Sequence, residues 1–142
     1  MNISIEQEYL SYCRRRFLHE YFPRIQKCLE ELSEEDVWWR PNEESNSIGN
    51  LISHLCGNVR QWIIHGVGGA DDKRVRDLEF SERGPLPKSE LLTKMQDTLL
   101  EADAVLERFD ASKFLEMKHI QRYELTNLNA ISHVVEHFAQ HT

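Results

Sequence analysis

Three of the seven histidines fall in one short run, His133-Val134-Val135-Glu136-His137-Phe138-Ala139-Gln140-His141, each four residues from the next. Residues four apart on a helix project side by side, so two imidazoles at that spacing reach a single metal ion. Two such pairs exist. At ~100° per residue the apolar stripe of this helix centres near Ile131 and Phe138, leaving His141 about 75° away, His137 about 115° and His133 about 155°. The pair nearest the core is therefore His137 and His141. His133 is expected to face solvent or to stand behind the ligands, where it either orients one of them or takes no part.

Two imidazoles alone hold a metal weakly, and three histidines form an established catalytic arrangement, so another helix must supply the third. His54 is the candidate, about 120° from the stripe centre of its own helix by the same rotation, much as His137 is. The expected metal set is His54, His137 and His141. The plainer alternative is that all three are polar residues flanking core faces, each satisfied by a hydrogen bond or water. Imidazole suits zinc, nickel, copper and iron alike, and zinc or nickel is the expected occupant.

A site with three histidines leaves one coordination position open. A metal there favours thiolate over thiol at neutral pH, and the same vacancy suits activation of water for hydrolysis. The catalytic residues themselves are unknown at this level, since no general base and no substrate-binding arginine is identifiable by spacing. Glu136 adjoins a ligand but lies about 100° around the helix from it. Cys13, Cys28 and Cys56 supply no Cys-x-x-Cys pair for a zinc finger. Cys56 shares a helix with His54 without facing it and has no evident base, which argues against a cysteine nucleophile.

The elements that must position these residues read as helices. From about Ser4 to Leu32, Leu10, Cys13, Phe17, Tyr21, Ile25, Leu29 and Leu32 recur at spacings of three and four, with a kink or break expected at Pro23. Ser33 is placed to cap a short turn. Trp38 and Trp39 are expected to cover the end of the core or to wall a pocket. A second helix spans about Ser47 to His65, with Ile48, Leu51, Ile52, Leu55, Val59, Trp62 and Ile63 on one stripe, and Gly66-Val67-Gly68-Gly69 ends it. The polar stretch Ala70–Pro87 reads as a long connection. A third helix follows from about Lys88 to Phe109, then a weakly patterned segment over 112–123, either a short hairpin or an irregular crossover. The last helix begins near Thr126. Four main helices with a long crossover describe an all-α four-helix bundle.

A length of 142 residues fits one domain, 1–142. The formal charge of -7, from 24 acidic and 17 basic side chains, repels phosphate backbones and anionic lipid, so neither nucleic acid nor membrane is an expected partner. The basic runs Arg14-Arg15-Arg16 and Lys73-Arg74 are short and read as solvated faces. No stretch approaches the roughly 18 apolar residues of a membrane span, and MNISIEQEYL lacks the order of a signal peptide. With three widely spaced cysteines, these features lead to the expectation of a cytoplasmic protein with reduced thiols.

SNSIGNLISHLCGNVRQWI, followed much later by NAISHVVEHFAQHT, resembles the DinB-like superfamily, the DinB/YfiT-like metalloenzymes, over nearly the whole chain. The likeness extends to the loop Trp39-Arg40-Pro41, the Asn-Ser-Ile-Gly entry to the second helix and the stretch Arg76-Asp77-Leu78-Glu79-Phe80, which is similar to an uncharacterised subgroup. The resemblance implies a four-helix bundle of the DinB/YfiT-like type, a homodimer, and a metal held by His54, His137 and His141. It also implies a small-molecule substrate and thiol-dependent S-transfer or isomerisation, with a low-molecular-weight thiol as co-substrate. Metal-dependent hydrolysis and a non-catalytic helical dimer with a structural metal are the alternatives. Members continue past the position of Thr142, so His141 is expected near a helix end that frays.

Overall fold

The longest apolar pattern in the chain becomes its first helical rod. The computed structural model describes residues 2–84 and 86–142; Met1, and Pro85 in the 70–87 connection, lie outside the described residues. Helix α1 (Ile5–Arg15) starts at Ser4, whose hydroxyl accepts from the Gln7 N–H while the Gln7 side chain accepts from the Ser4 N–H. The stripe buries Leu10, Cys13, Phe17, Tyr21, Ile25 and Leu29 as its spacing predicts. No break occurs at Pro23. The helix passes through a π-helical stretch, Arg16–Tyr21, and resumes as α2 (Phe22–Glu31) with Pro23 in the first turn. The Phe22 N–H already bonds back five residues to Phe17, so the register has shifted before the proline, and its missing donor falls where it costs least.

Ser33 caps α3 (Glu34–Trp38) as expected, in a reciprocal pair with Asp36. The two tryptophans part company. The Trp38 ring lies against Gly49 and Gly84, where an added Cβ would come within 2.7 Å of it, and its Nε1–H donates to the Leu86 carbonyl at 3.1 Å. Trp39 is 67% exposed and closes nothing.

Helix α4 (Ile48–Val59) starts at Ser47 and continues into a second π-helical stretch, Arg60–Val67. The 70–87 connection is not simply a loop: it contains the short helix α5 (Arg76–Ser81), packed on α4. Asn50 makes that packing specific. Its Oδ1 accepts from the Ser47 N–H, and its Nδ2 donates to the carbonyls of Glu79 at 3.0 Å and Glu82 at 2.8 Å. One buried amide thus caps α4 and ties α5 to it. Arg74, read as part of a solvated run, has a side chain only 4% exposed, because a carboxylate inside the connection neutralises it.

Helix α6 (Lys88–Glu107) packs on α4, α1 and α2. A short 3-10 turn, Ala111–Lys113, then leads into β1 (Met117–Ile120) and β2 (Tyr123–Thr126), an antiparallel hairpin in the register Met117↔Thr126 to Ile120↔Tyr123. The weakly patterned segment is therefore the hairpin alternative, and the fold is mostly helical with a small two-stranded sheet rather than purely all-α. Ile120 anchors the hairpin, being 1% exposed and packed against Gly66.

Thr126 caps the last helix, α7 (Asn127–His141). Its Phe138 is fully buried, stacked on Tyr21 at 5.4 Å and edge-on to Phe17 at 5.7 Å. This aromatic group clamps the last turns of α7 to the first π-helical stretch, and it fixes which way the neighbouring His137 and His141 project. Among the described residues, no helix is long and apolar enough to cross a membrane.

Candidate metal centre

His54 is a buried residue in the middle of α4, and its ring is held from both sides. Nδ1 lies 3.1 Å from Glu79 Oε1. Arg74 Nη2 also lies 3.3 Å from Nδ1, but it donates to Glu79 Oε1 at the shorter 2.9 Å. A carboxylate only accepts, so the Glu79 contact favours the proton on Nδ1, with the Nε2 lone pair facing away from Glu79. That lone pair faces α7: His54 Nε2 is 2.9 Å from His137 Nε2. His141, one turn further along, completes the group, with its ring centroid 4.6 Å from that of His137 and 5.5 Å from that of His54. One nitrogen from each of the three residues lies within 4.8 Å of the others.

These residues fit a metal ion. Donors around a tetrahedral ion with bonds of ~2.0–2.1 Å stand about 3.3 Å apart, so small side-chain adjustments from the spacings seen here suffice. The tautomer also fits, since Glu79 fixes the His54 proton on the nitrogen facing away from the cluster, a carboxylate–histidine arrangement common behind metal ligands. His137 differs. Its Nδ1 is buried without a hydrogen-bond partner among the described residues, so the protein does not fix its tautomer from behind.

Glu79 is itself held. Arg74 donates from Nε to Oε2 and from Nη2 to Oε1, both at 2.9 Å, and from Nη1 to Gln61 Oε1 at 2.9 Å. Burial raises the Glu79 carboxyl, but hydrogen bonds from His54 and Arg74, with the charge of Arg74, outweigh it and hold the group below its ordinary value. Burial pushes the His137 imidazole down to about 4, aided by the neighbouring His54, His141, His133 and Arg74, and burial with His54 also lowers His141. Both rings are therefore uncharged at neutral pH, each with one nitrogen carrying a proton and the other a lone pair.

His54 and His137 form part of the wall of a cavity of about 810 Å³, within the range of small-molecule sites. Trp62 and His133 form another part of it, their rings stacked at 4.2 Å. His133 is thus brought to the cavity beside the cluster, with its ring 5.9 Å from that of His137, and stays outside the metal set. Cys56 takes no part: burial raises its thiol to about 11.

Residues 4–142 match the model of a family described as protein of unknown function, DUF1572. The chain belongs to the DUF1572 family. A comparison with curated proteins finds no match. In this DUF1572 chain the histidines, Glu79, Arg74 and the cavity wall all fall within the matched region.

The structure brings together the three histidines singled out by spacing, and it adds residues that spacing did not find. Glu79 and Arg74 lie in the polar connection, where no periodicity marks them. Gly57 did leave a signal, because a glycine inside a helix costs about 1 kcal/mol relative to alanine and usually has a packing reason. Here the reason is the carboxylate: a Cβ at Gly57 would stand 1.8 Å from Glu79 Oε2.

Proposed function

We propose that this DUF1572 protein is a divalent-metal-dependent enzyme of the DinB/YfiT-like type. In this reading it is a four-helix bundle whose His54, His137 and His141 hold zinc or nickel, and it transfers or isomerises small electrophiles with a low-molecular-weight thiol. The observation that carries the reading is the convergence of three imidazoles from α4 and α7, two of which, His54 and His137, line a cavity large enough for a small molecule. Among the described residues the group offers three protein donors, the pattern of catalytic sites, where structural sites close with four. This favours an enzyme over a purely structural metal.

A divalent cation would supply Lewis acidity there, favouring the ionised form of a thiol or of water at neutral pH. The protein's own residues do the rest. Glu79 keeps the His54 proton on Nδ1, Arg74 keeps Glu79 ionised and in place, and Trp62 with His133 gives a flat wall against which a substrate packs.

The test is turnover of a model electrophile with and without a thiol, in metal-loaded and metal-stripped protein. Turnover that requires both supports thiol transfer. Turnover that requires metal but no thiol removes the transferase and leaves hydrolysis, and metal-independent turnover removes both.

A further inference from the structure

The charge of the cavity wall runs against that of the chain. The whole protein is acidic, at -7, yet the cavity is lined by Arg74, Arg76 and Arg122 and by no aspartate or glutamate among the described residues. Arg74 is spent on Glu79. The other two are not: among the described residues, neither Arg76 nor Arg122 forms an ion pair. Each lies over an aromatic ring, Arg76 5.0 Å from the centroid of Phe80 and Arg122 5.2 Å from that of Tyr123. Stacking in this way steadies a guanidinium while leaving most of its N–H fork free.

Two further observations point to a ligand. Trp62, 4% exposed, lines the cavity and carries a buried donor, its Nε1–H, without a partner among the described residues. Asn58, 5% exposed, also lines it, but its unpartnered atom is Oδ1, an acceptor that offers an anion nothing. Such atoms are costly unless something meets them. The hairpin tip is also held in place. Gln121 adopts φ 55, a conformation unusual for a residue with a side chain, and its Nε2 donates to Gln61 Oε1 at 2.7 Å, on the oxygen that Arg74 also reaches. That bond sets the neighbouring Arg122 at the cavity.

We infer that this wall is an oxyanion subsite, in which Arg76 and Arg122 bind a carboxylate or phosphate group of a small organic ligand lying against the histidine cluster. The inference rests on the proposal that the cavity serves a metal centre, in that the anion orients the rest of the ligand toward His54 and His137. The subsite needs only the arginines to bind, so it is testable without the metal.

The test is calorimetric titration of metal-stripped protein with succinate, inorganic phosphate and the neutral succinamide. At least one oxyanion is expected to bind with a dissociation constant of about 1 mM or tighter, and succinamide is not. Arg76→Gln and Arg122→Gln, at exposed positions that leave the fold intact, should each weaken binding about tenfold, and added salt should weaken it in the unsubstituted protein. The relative response to succinate and phosphate identifies the group. Failure of both oxyanions to bind, equal binding of succinamide, or binding that neither substitution alters overturns the subsite. Metal content is measured alongside: oxyanion binding by a protein that takes up no metal sinks the metal reading and sustains the subsite, whereas metal uptake without arginine-dependent anion binding does the reverse.

Discussion

Glu79 accepts a hydrogen bond from His54 Nδ1 at 3.1 Å across 25 residues of sequence, and the same carboxylate is held by Arg74 through two bonds of 2.9 Å. The pair does two jobs. It aims the His54 Nε2 lone pair at the terminal histidines, and it neutralises a buried arginine. Glu79→Gln should therefore show two losses, a fall of about 10–100-fold in metal affinity and a stability cost of about 3–5 kcal/mol from the stranded guanidinium. Competition with a chelator and denaturant unfolding measure them separately. Unchanged metal affinity in the folded variant would show that Glu79 has no part in the site.

Gly57→Ala probes the same carboxylate without altering a histidine or a charge. Replacing a helix-interior glycine with alanine ordinarily stabilises by about 0.5–1 kcal/mol. Here the new methyl group would collide with Glu79 Oε2, and the carboxylate cannot retreat without releasing His54 or Arg74. The expected result is lower thermal stability and a loss of metal affinity of about tenfold or more. An increase in melting temperature with full metal uptake would contradict the packing described.

Acid should loosen the metal-free protein. The folded-state values of His137 and His141 lie below the ordinary 6.5, that of His137 at about 4, so protonating them opposes folding. Their contribution is complete above 6.5 and is lost as the pH falls through about 4, and depressed Glu79 acts in the same direction at the lower end of that window. Unfolding free energy measured from pH 8 to 4 should be flat on the contribution of these groups above 6.5 and decline below it. His137→Gln should flatten the decline; an unaltered profile in that variant would refute the assignment.

Phe138→Ala should cost about 3–5 kcal/mol, because its fully buried ring is the contact of α7 with Phe17 and Tyr21. Chemical denaturation measures it, and a loss under 1 kcal/mol would mean that α7 is anchored elsewhere.

The helices and the terminal pair His137 and His141 were legible because both are periodic. Spacings of three and four mark the buried stripe from Leu10 to Leu29, and spacing of four puts His137 and His141 on one face. The partners behind the histidines were not legible, since tertiary contacts fix Glu79 and Arg74 inside a polar connection. The side chain of Asn50 decides where α5 lies, and nothing near Glu79 in sequence reveals that. Pro23 shows the limit of a local rule, for a shift to π-helical bonding ahead of it absorbs the missing donor. The hairpin is one of two arrangements the sequence allows for its segment, because its strands, of four residues each, are too short to show alternation.

The central claim is that imidazoles from distant parts of the chain share one ion, and elemental analysis of the purified protein beside its His54→Ala variant tests it most directly. The account predicts about one zinc or nickel ion per chain in the former and a large loss in the latter, with both proteins folded by circular dichroism. Equal metal content in the two would contradict it.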